Sequence, residues 1–209
     1  MSEAAPTGLE VRGPRIGLRI PVPGDARRLF ELAGDPEVTR FFSWGPYAAE
    51  GEAAAWLETL PERREQGLAL ELAVVDPDDW VIGITGVFEV SKRDRRAVVG
   101  TWLGQAYWGT GANAESKALI AHLVFGSLRM ERLGAWASVN NPRSQRALER
   151  LGFVREGTLR AFQRHRDERR DVVSYSLLRD EWEGSELAAT DVVLRGEPPG
   201  AFVCAERPA

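Results

Sequence analysis

Two glycines one residue apart, in the segment YWGTGANAESK from Tyr107 to Lys117, are well suited to hold an anion. Glycine has no Cβ, so the backbone can approach a ligand closely and adopt positive φ without steric cost. A helical pattern begins directly after the glycines, and the first N–H groups of a helix have no partners within it. The segment therefore predicts a loop that binds an anion, most simply a phosphate, through backbone amides.

A dinucleotide site is the first alternative, because Gly109 to Ala114 fits GxGxxA and Glu131 follows about twenty residues later. In that motif the glycines follow their strand directly, whereas residues 104–108 intervene here. The acidic residue also belongs at the carboxyl end of the second strand, but Glu131 precedes the strand predicted over 133–139. These differences argue against an NAD(P) site, and no GxxxxGKS or GxxxxGKT segment supports a P-loop.

Strands and helices alternate around this loop. Apolar runs predict strands over 18–22, 68–75, 80–90, 97–103, 133–139, 153–155 and 172–178. Helical spacing predicts helices from Asp25, over 48–66, from Asn113 as N-cap to about Leu128, and from Pro142 to Leu151. Short connections make the strands between 68 and 103 an antiparallel meander. The strand–helix–strand unit around the glycines implies one parallel pair in a mixed, mostly antiparallel α/β sheet.

Composition narrows the function classes. The chain has 209 residues, 44% hydrophobic content and a net charge of −4, which is typical of a globular domain without a basic surface for nucleic acid. No apolar run is long enough to span a membrane. One cysteine, Cys204, and two histidines argue against a disulfide framework and a metal site. The start MSEAAPTGLE lacks a signal-peptide core, so a cytoplasmic location is expected.

Two further segments give the glycine loop its context: NNPRSQRALERLGF at 140–153 and RRDVVSYSLLRDEW at 169–182. With them, the region from about Leu18 to Trp182 resembles the GNAT superfamily of acetyl-CoA-dependent N-acetyltransferases, most of all the Rim-type ribosomal-protein alanine acetyltransferases. The resemblance implies acetyl transfer from acetyl-CoA to a primary amine, either a protein N-terminal α-amine or a small-molecule amine, by direct attack. A non-catalytic acyl-CoA-binding regulator is the alternative.

The resemblance also implies a coenzyme site. The pyrophosphate would lie on amides of the loop and the helix start, and the pantetheine arm in a cleft where the strand of Trp102 splays from the strand ending at Asn140. Lys117 or Arg146 would pair with a phosphate, although both could equally lack such a role. The implied contacts are Trp102, Leu103, Trp108, Gly109, Thr110, Gly111, Ala112, Asn113, Lys117, Asn141 and Arg146.

For the chemistry, the resemblance places Ser144 beside the leaving sulfur and assigns no metal. Backbone N–H groups near Trp102 and Leu103 would stabilise the oxyanion. A glutamate common in Rim-type sequences is replaced by Val98, which leaves the general base unassigned. We name Glu156 as the candidate, with Glu89 and Asp171 as alternatives acting through water.

The domain prediction is one N-acetyltransferase domain over 1–183 and a C-terminal tail over 184–209. The tail has little apolar mass, and it is expected to be loose or to add short strands over 192–194 and 202–204. A terminal strand can pair with a second chain. A homodimer is therefore expected, mainly from the resemblance and only weakly from the tail.

Overall fold

The structure is a computed structural model that describes residues 8–165 and 167–206, so most of the segment used for the signal-peptide prediction lies outside it. The described strands are β1 (Glu10–Arg12), β2 (Gly17–Arg19), β3 (Ala69–Val75), β4 (Val81–Ser91), β5 (Arg96–Leu103), β6 (Arg132–Ser138), β7 (Val154–His165), β8 (Glu168–Leu178) and β9 (Val193–Arg195). The described α-helices are α1 (Ala26–Ala33), α2 (Pro36–Thr39), α3 (Glu50–Glu65), α4 (Ala112–Ala121), α5 (Pro142–Arg150) and α6 (Arg179–Glu183).

The strands form one mixed sheet in the order β7-β8-β6-β5-β4-β3-β2-β1-β9. The antiparallel meander β3-β4-β5 and the parallel pair β5-β6 confirm the predicted fold class. The parallel pairing begins at Arg96 opposite Arg132 and ends at Val99 opposite Ala135. Both strands continue beyond that rung, β5 to Leu103 and β6 to Ser138. Their carboxyl ends therefore diverge and leave a cleft in the sheet.

Helices cover both faces of the sheet. On one face, α4 and a π-helical turn over His122–Ser127 bury Leu119, Ile120 and Leu123 completely. On the other face, α1 and α3 pack a second cluster that includes Leu29 and Leu60. Burial of apolar side chains stabilises each face by about 25 cal/mol per Å² and holds α4 and α1 against the sheet.

Several local predictions need correction. Asn113 is not the N-cap of α4, because the helix begins at Ala112 and Gly111 takes the cap position with φ of 92°. The helix expected to reach Leu128 changes to π-helical geometry at His122. The strand predicted over 153–155 extends to His165, because it forms a long hairpin with β8.

Part of the segment after Glu183 packs against the rest of the domain. β9 pairs antiparallel with β1, close to the strand predicted over 192–194. Residues 202–204 form no strand, but the side chains of Phe202 and Cys204 are buried, and the Cys204 N–H donates to Leu128 O at 3.0 Å. Among the described residues, no helix is long and apolar enough to cross a bilayer.

Candidate active site

The glycine loop connects β5 to α4 and holds its shape through positive φ. Gly109 has φ of 78° and Gly111 has φ of 92°, a region that side chains with a Cβ rarely adopt. A Cβ at Gly111 would lie 2.7 Å from an Arg15 guanidinium nitrogen. The loop conformation therefore requires glycine, and it leads into a helix whose first N–H groups have no helical acceptors.

Arg15 lies beside this loop, a position that the sequence did not reveal. Its Nη1 donates to Thr110 O at 3.2 Å, and its Nε donates to Glu115 Oε2 at 2.9 Å. The buried Glu115 carboxylate also accepts the backbone N–H groups of Arg15 and Ile16 at 2.7 and 3.0 Å. Glu115 thereby ties the β1–β2 turn to α4 and holds a cationic side chain, 61% exposed, against the loop.

The edge of β5 that faces the cleft carries backbone N–H groups beyond the end of the parallel ladder. Gly104 N–H donates to Ile82 O on β4 at 2.9 Å. Because successive residues of a strand point their N–H groups to opposite sides, Trp102 N–H also faces β4, whereas the N–H groups of Thr101 and Leu103 face the cleft. The oxyanion and coenzyme donors expected near Trp102 and Leu103 are therefore better placed at Thr101 and Leu103.

The opposite wall is built from the end of β6 and the first turn of α5. Asn141 is the N-cap of α5, since its Oδ1 accepts the Ser144 N–H at 3.1 Å. Gln145 Nε2 donates to the carbonyl oxygens of Ser138 and Val139 at 2.9 and 3.0 Å. Both Asn141 and Ser144 line the cleft, and capping by Asn141 means that Ser144 is not needed as the helix cap.

A cavity of about 590 Å³ extends through the cleft and reaches both faces of the sheet. On the α4 and α5 side it is lined by Asn113, Lys117, Asn141, Ser144, Ala147 and Leu148. On the α1 and α3 side its walls are largely aromatic: Phe41, Phe42, Trp44, Tyr47, Trp56, Phe88, Trp102 and Trp136. The two sides could therefore receive two different substrates that meet where β5 and β6 diverge.

The aromatic wall is formed largely by the loop after α2. Trp44 contacts Trp102 of β5 edge to face, with ring centres 5.7 Å apart. The tip of the β7–β8 hairpin holds this loop. His165 Nδ1 lies 2.5 Å from Phe42 O, and Arg170 Nη1 donates to Arg40 O at 2.9 Å.

Lys117 does not lie where a phosphate partner would be. It is 5% exposed, and its Nζ donates to Thr101 Oγ1 at 2.5 Å inside the cleft rather than pointing to the glycine loop. Burial lowers the pKa of Lys117 to about 7. The expected ion pair between Lys117 and a phosphate is therefore corrected to a hydrogen bond with Thr101. Arg146 is exposed on α5 and is not among the residues that line the cavity.

The proposed base Glu156 also needs correction. It lies outside the cavity, where both of its carboxylate oxygens accept hydrogen bonds from Arg132, and this pairing lowers the pKa of Glu156. Glu89 is exposed, and Asp171 accepts the Ala161 N–H at 2.7 Å. Neither lines the cavity, which leaves Glu71 as its carboxylate within the described residues.

Glu71 lies on the aromatic side of the cavity. Its carboxylate pairs with Arg63 of α3 at 2.7 Å, and burial raises the pKa of Glu71 in spite of that partner. Across the described part of the chain, no group of three or more histidine, cysteine, aspartate or glutamate side chains could hold a metal ion.

Known proteins share this architecture. A family model described as "Acetyltransferase (GNAT) domain" matches residues 15–154, more than half of the chain, so the chain belongs to the GNAT acetyltransferase family. It is an acetyl-CoA-dependent N-acetyltransferase of the Rim-type branch. Membership of this family argues against both alternatives, an NAD(P) site and a non-catalytic acyl-CoA-binding regulator.

Two curated bacterial relatives cover most of the chain. "Uncharacterized N-acetyltransferase p20" of Bacillus licheniformis is 29% identical over 171 residues, 81% of this chain and 96% of that protein. "Putative ribosomal N-acetyltransferase YdaF" of Bacillus subtilis (strain 168) is 31% identical over 176 residues, 82% of this chain and 95% of that protein. A crystal structure of a "putative acetyltransferase" from T. thermophilus is 32% identical with a TM-score of 0.75, covering 90% of this chain and 96% of that one.

Proposed function

We propose that this protein acetylates the α-amine of a peptide or protein N-terminus by direct attack of the neutral amine on acetyl-CoA. The observation that carries the proposal is the divergence of β5 and β6 after the Val99–Ala135 rung, which opens one cavity to both faces of the sheet. Acetyl-CoA would occupy the side of α4 and α5, and the amine would enter from the aromatic side.

Coenzyme binding begins at the glycine loop. The Trp108 N–H already donates to Gln105 O at 3.1 Å, so the pyrophosphate would accept hydrogen bonds from amides of residues 109–113. The helix dipole of α4 also favours negative charge there. The Arg15 guanidinium, bonded to Thr110 O, adds a positive charge at the same place. Arg15, rather than Lys117 or Arg146, would therefore be the cationic partner of the phosphates.

The pantetheine arm would continue along β5 like an added strand. The cleft-facing backbone groups of Thr101 and the N–H of Leu103 can pair with its amides, as strand edges do with extended peptides. Leu103 O already accepts the Trp108 Nε1–H at 2.9 Å. Asn141 uses its Oδ1 for the helix cap, so its side-chain NH2 group is the part that can donate to the arm. The thioester would then lie near Ser144.

The chemistry requires an amine without its proton and a stabilised oxyanion. An α-amine, with an ordinary pKa of about 7.7–8.0, is deprotonated near neutral pH more readily than lysine at about 10.4. A cleft-facing N–H of Thr101 or Leu103 would donate to the oxyanion. The Ser144 hydroxyl would donate to the departing thiolate, which needs little help because an ordinary thiol has a pKa of about 8.5.

Two observations support this acceptor class: the name of the Bacillus subtilis relative refers to the ribosome, and an α-amine has a lower ordinary pKa than a lysine side chain. The test measures initial rates of acetylation by mass spectrometry for two peptides that each have one free amine. One peptide has a free N-terminus and an internal arginine, and the other has a blocked N-terminus and a lysine in place of that arginine. We expect the first to react faster at pH 7. Acetylation of the lysine alone, or of small-molecule amines alone, would reject the N-terminal acceptor.

A further inference from the structure

A short polar chain leads from the cleft into the core of the protein. Thr101 lies on β5 beyond the last parallel rung and lines the cavity. Its Oγ1 lies 2.5 Å from Lys117 Nζ and 2.6 Å from Thr85 Oγ1. Thr85 is fully buried and donates to Gly100 O at 3.2 Å. The Thr101 hydroxyl is therefore the group that connects the Lys117 amine to the point where the two substrates would meet.

Among the described residues, no carboxylate forms an ion pair with Lys117. Glu115, two residues earlier on α4, is bonded to Arg15 and to the β1–β2 turn. The charged pair in the same cavity, Glu71 with Arg63, is joined at 2.7 Å on the α3 side of the sheet. Desolvation is the cause of the low pKa of Lys117, about 7, and a buried ammonium without a counter-charge is unfavourable.

We propose that Lys117 accepts, through the Thr101 hydroxyl, the proton that the acceptor amine loses during acetyl transfer. This inference rests on the function proposed above. Lys117 would thus be the general base, a role that Val98 cannot take because it is apolar and that Glu156 cannot take because it lies outside the cavity. In the structure the Thr101 hydroxyl accepts from Lys117 Nζ and lies within hydrogen-bond distance of Thr85 Oγ1. When Lys117 is a neutral amine with a free lone pair, the Thr101 hydroxyl can rotate to donate to Nζ while it accepts a proton from the cleft.

The proton balance of the step is complete. The acceptor nitrogen attacks the thioester carbon, the C–N bond forms and the C–S bond breaks. The proton released by nitrogen moves to Thr101 Oγ1 as the hydroxyl proton of Thr101 moves to Lys117 Nζ. The coenzyme A thiolate then takes up a proton from the Lys117 ammonium, because a thiol with a pKa of about 8.5 is the weaker acid of the two.

The protonation state can be measured without any reaction. Lys92 and Lys117 are the two lysines of the chain, so protein labelled with 13C and 15N lysine gives two sets of side-chain signals. Lys92→Arg assigns them, because Lys92 lies exposed on the β4–β5 hairpin. We expect the Lys117 Cε signal to titrate near pH 7. A titration midpoint above pH 9 would overturn the proposal whatever the enzyme acetylates.

The kinetic test uses Lys117→Met, which keeps an unbranched side chain without the amine. We expect kcat to fall at least 100-fold, within the range for general base catalysis, while the Kd for acetyl-CoA changes less than threefold. In the pH profile of kcat, the ionisation near pH 7 that belongs to Lys117 should disappear, while the dependence on deprotonation of the acceptor amine, with an ordinary pKa of about 7.7–8.0, should remain. Thr101→Val should lower kcat by a similar factor, because it removes the hydroxyl that passes the proton to Lys117. Lys92→Met is the matched control and should keep both rate and pH profile.

The remaining outcomes separate this proposal from the function itself. If Lys117→Met loses acetyl-CoA binding, Lys117 is a coenzyme ligand and the base proposal fails. If the ionisation near pH 7 persists in Lys117→Met but disappears in Glu71→Gln, the base is Glu71. A folded wild type that transfers acetyl to no amine rejects the proposed function and this role together. If the wild type is active and Lys117→Met keeps the ionisation near pH 7 in its kcat profile, Lys117 is not the base and the proposed function is unaffected.

Discussion

The guanidinium of Arg143 lies 3.5 Å from the centre of the Trp108 indole ring. Trp108 belongs to the glycine loop, and its Nε1 donates to Leu103 O at 2.9 Å. Arg143 belongs to the first turn of α5. The contact therefore joins the two walls of the cleft, and its partial burial lowers the pKa of Arg143.

Removing this contact should weaken coenzyme binding. We expect Arg143→Ala to raise the Kd for acetyl-CoA about two- to fivefold, because a cation–π contact at an exposed site contributes about 0.5–1 kcal/mol and here fixes the loop. Calorimetric titration measures the change. Arg146→Ala removes the same charge from an exposed position on the same helix and should have little effect. Equal losses in the two variants would show that net charge, rather than the contact, is responsible.

The glycines should be essential for coenzyme binding. Gly111→Val should raise the Kd for acetyl-CoA tenfold or more, since the new side chain meets Arg15 and disfavours φ of 92°. Gly109→Val should have a similar effect at φ of 78°, because its side chain would extend where the anion is placed. Gly51→Val, in open space on α3, is the control. Wild-type affinity in a folded Gly111→Val protein would reject the loop as the phosphate site.

Asn141 and Ser144 should have separable roles. Asn141→Ala should lower the melting temperature, because loss of an N-cap costs about 0.5–2 kcal/mol, and it should also raise the Michaelis constant for acetyl-CoA. Ser144→Ala should keep the melting temperature and lower kcat about tenfold to a hundredfold. Thermal unfolding and single-turnover rates distinguish these effects. Unchanged chemistry in Ser144→Ala would remove Ser144 from the catalytic residues.

Lys117 should make stability depend on pH in a defined direction. The unfolded chain holds the Lys117 proton up to about pH 10.5, whereas the folded protein loses it near pH 7. Between these values the unfolded state binds more protons, so the free energy of unfolding should rise by about 1.4 kcal/mol per pH unit relative to Lys117→Met. Urea unfolding of both proteins at pH 7, 8.5 and 10 measures the difference. Parallel curves would contradict the burial of a lysine that is neutral in the folded state.

The C-terminal segment should stabilise the domain without contributing to coenzyme binding. Phe202 is fully buried, and Phe202→Ala should reduce the free energy of unfolding by about 3–5 kcal/mol. The Kd for acetyl-CoA should not change in the folded variant, because the described cleft residues all precede this segment.

A homodimer stays a prediction, which sedimentation of the intact chain would test.

The order of strands and helices could be predicted because apolar periodicity is a local property. The meander, the parallel pair and the helix from Pro142 all follow from short stretches of sequence. The position of Gly111 as cap was missed, since Asn113 is the stronger cap residue by type but only glycine accepts the φ found there.

The partners of charged side chains could not be predicted in the same way. Arg15 and Glu115 are 100 residues apart, and Lys117 and Thr101 meet only because α4 packs against β5. Glu156 was assigned to the cleft by residue type, but β7 places it beside Arg132 at the other end of β6. These contacts depend on tertiary packing and strand register, which one sequence does not show.

The central claim is that acetyl-CoA lies along β5 between the diverging strands. Backbone amide chemical shifts, followed by 15N-resolved NMR during titration with acetyl-CoA, test it most directly. We predict large shifts at the cleft-facing amides of Thr101 and Leu103 and across Gly109 to Asn113, with little change in β9. Saturable binding whose shifts avoid both β5 and the glycine loop, or no binding at millimolar acetyl-CoA, would contradict it.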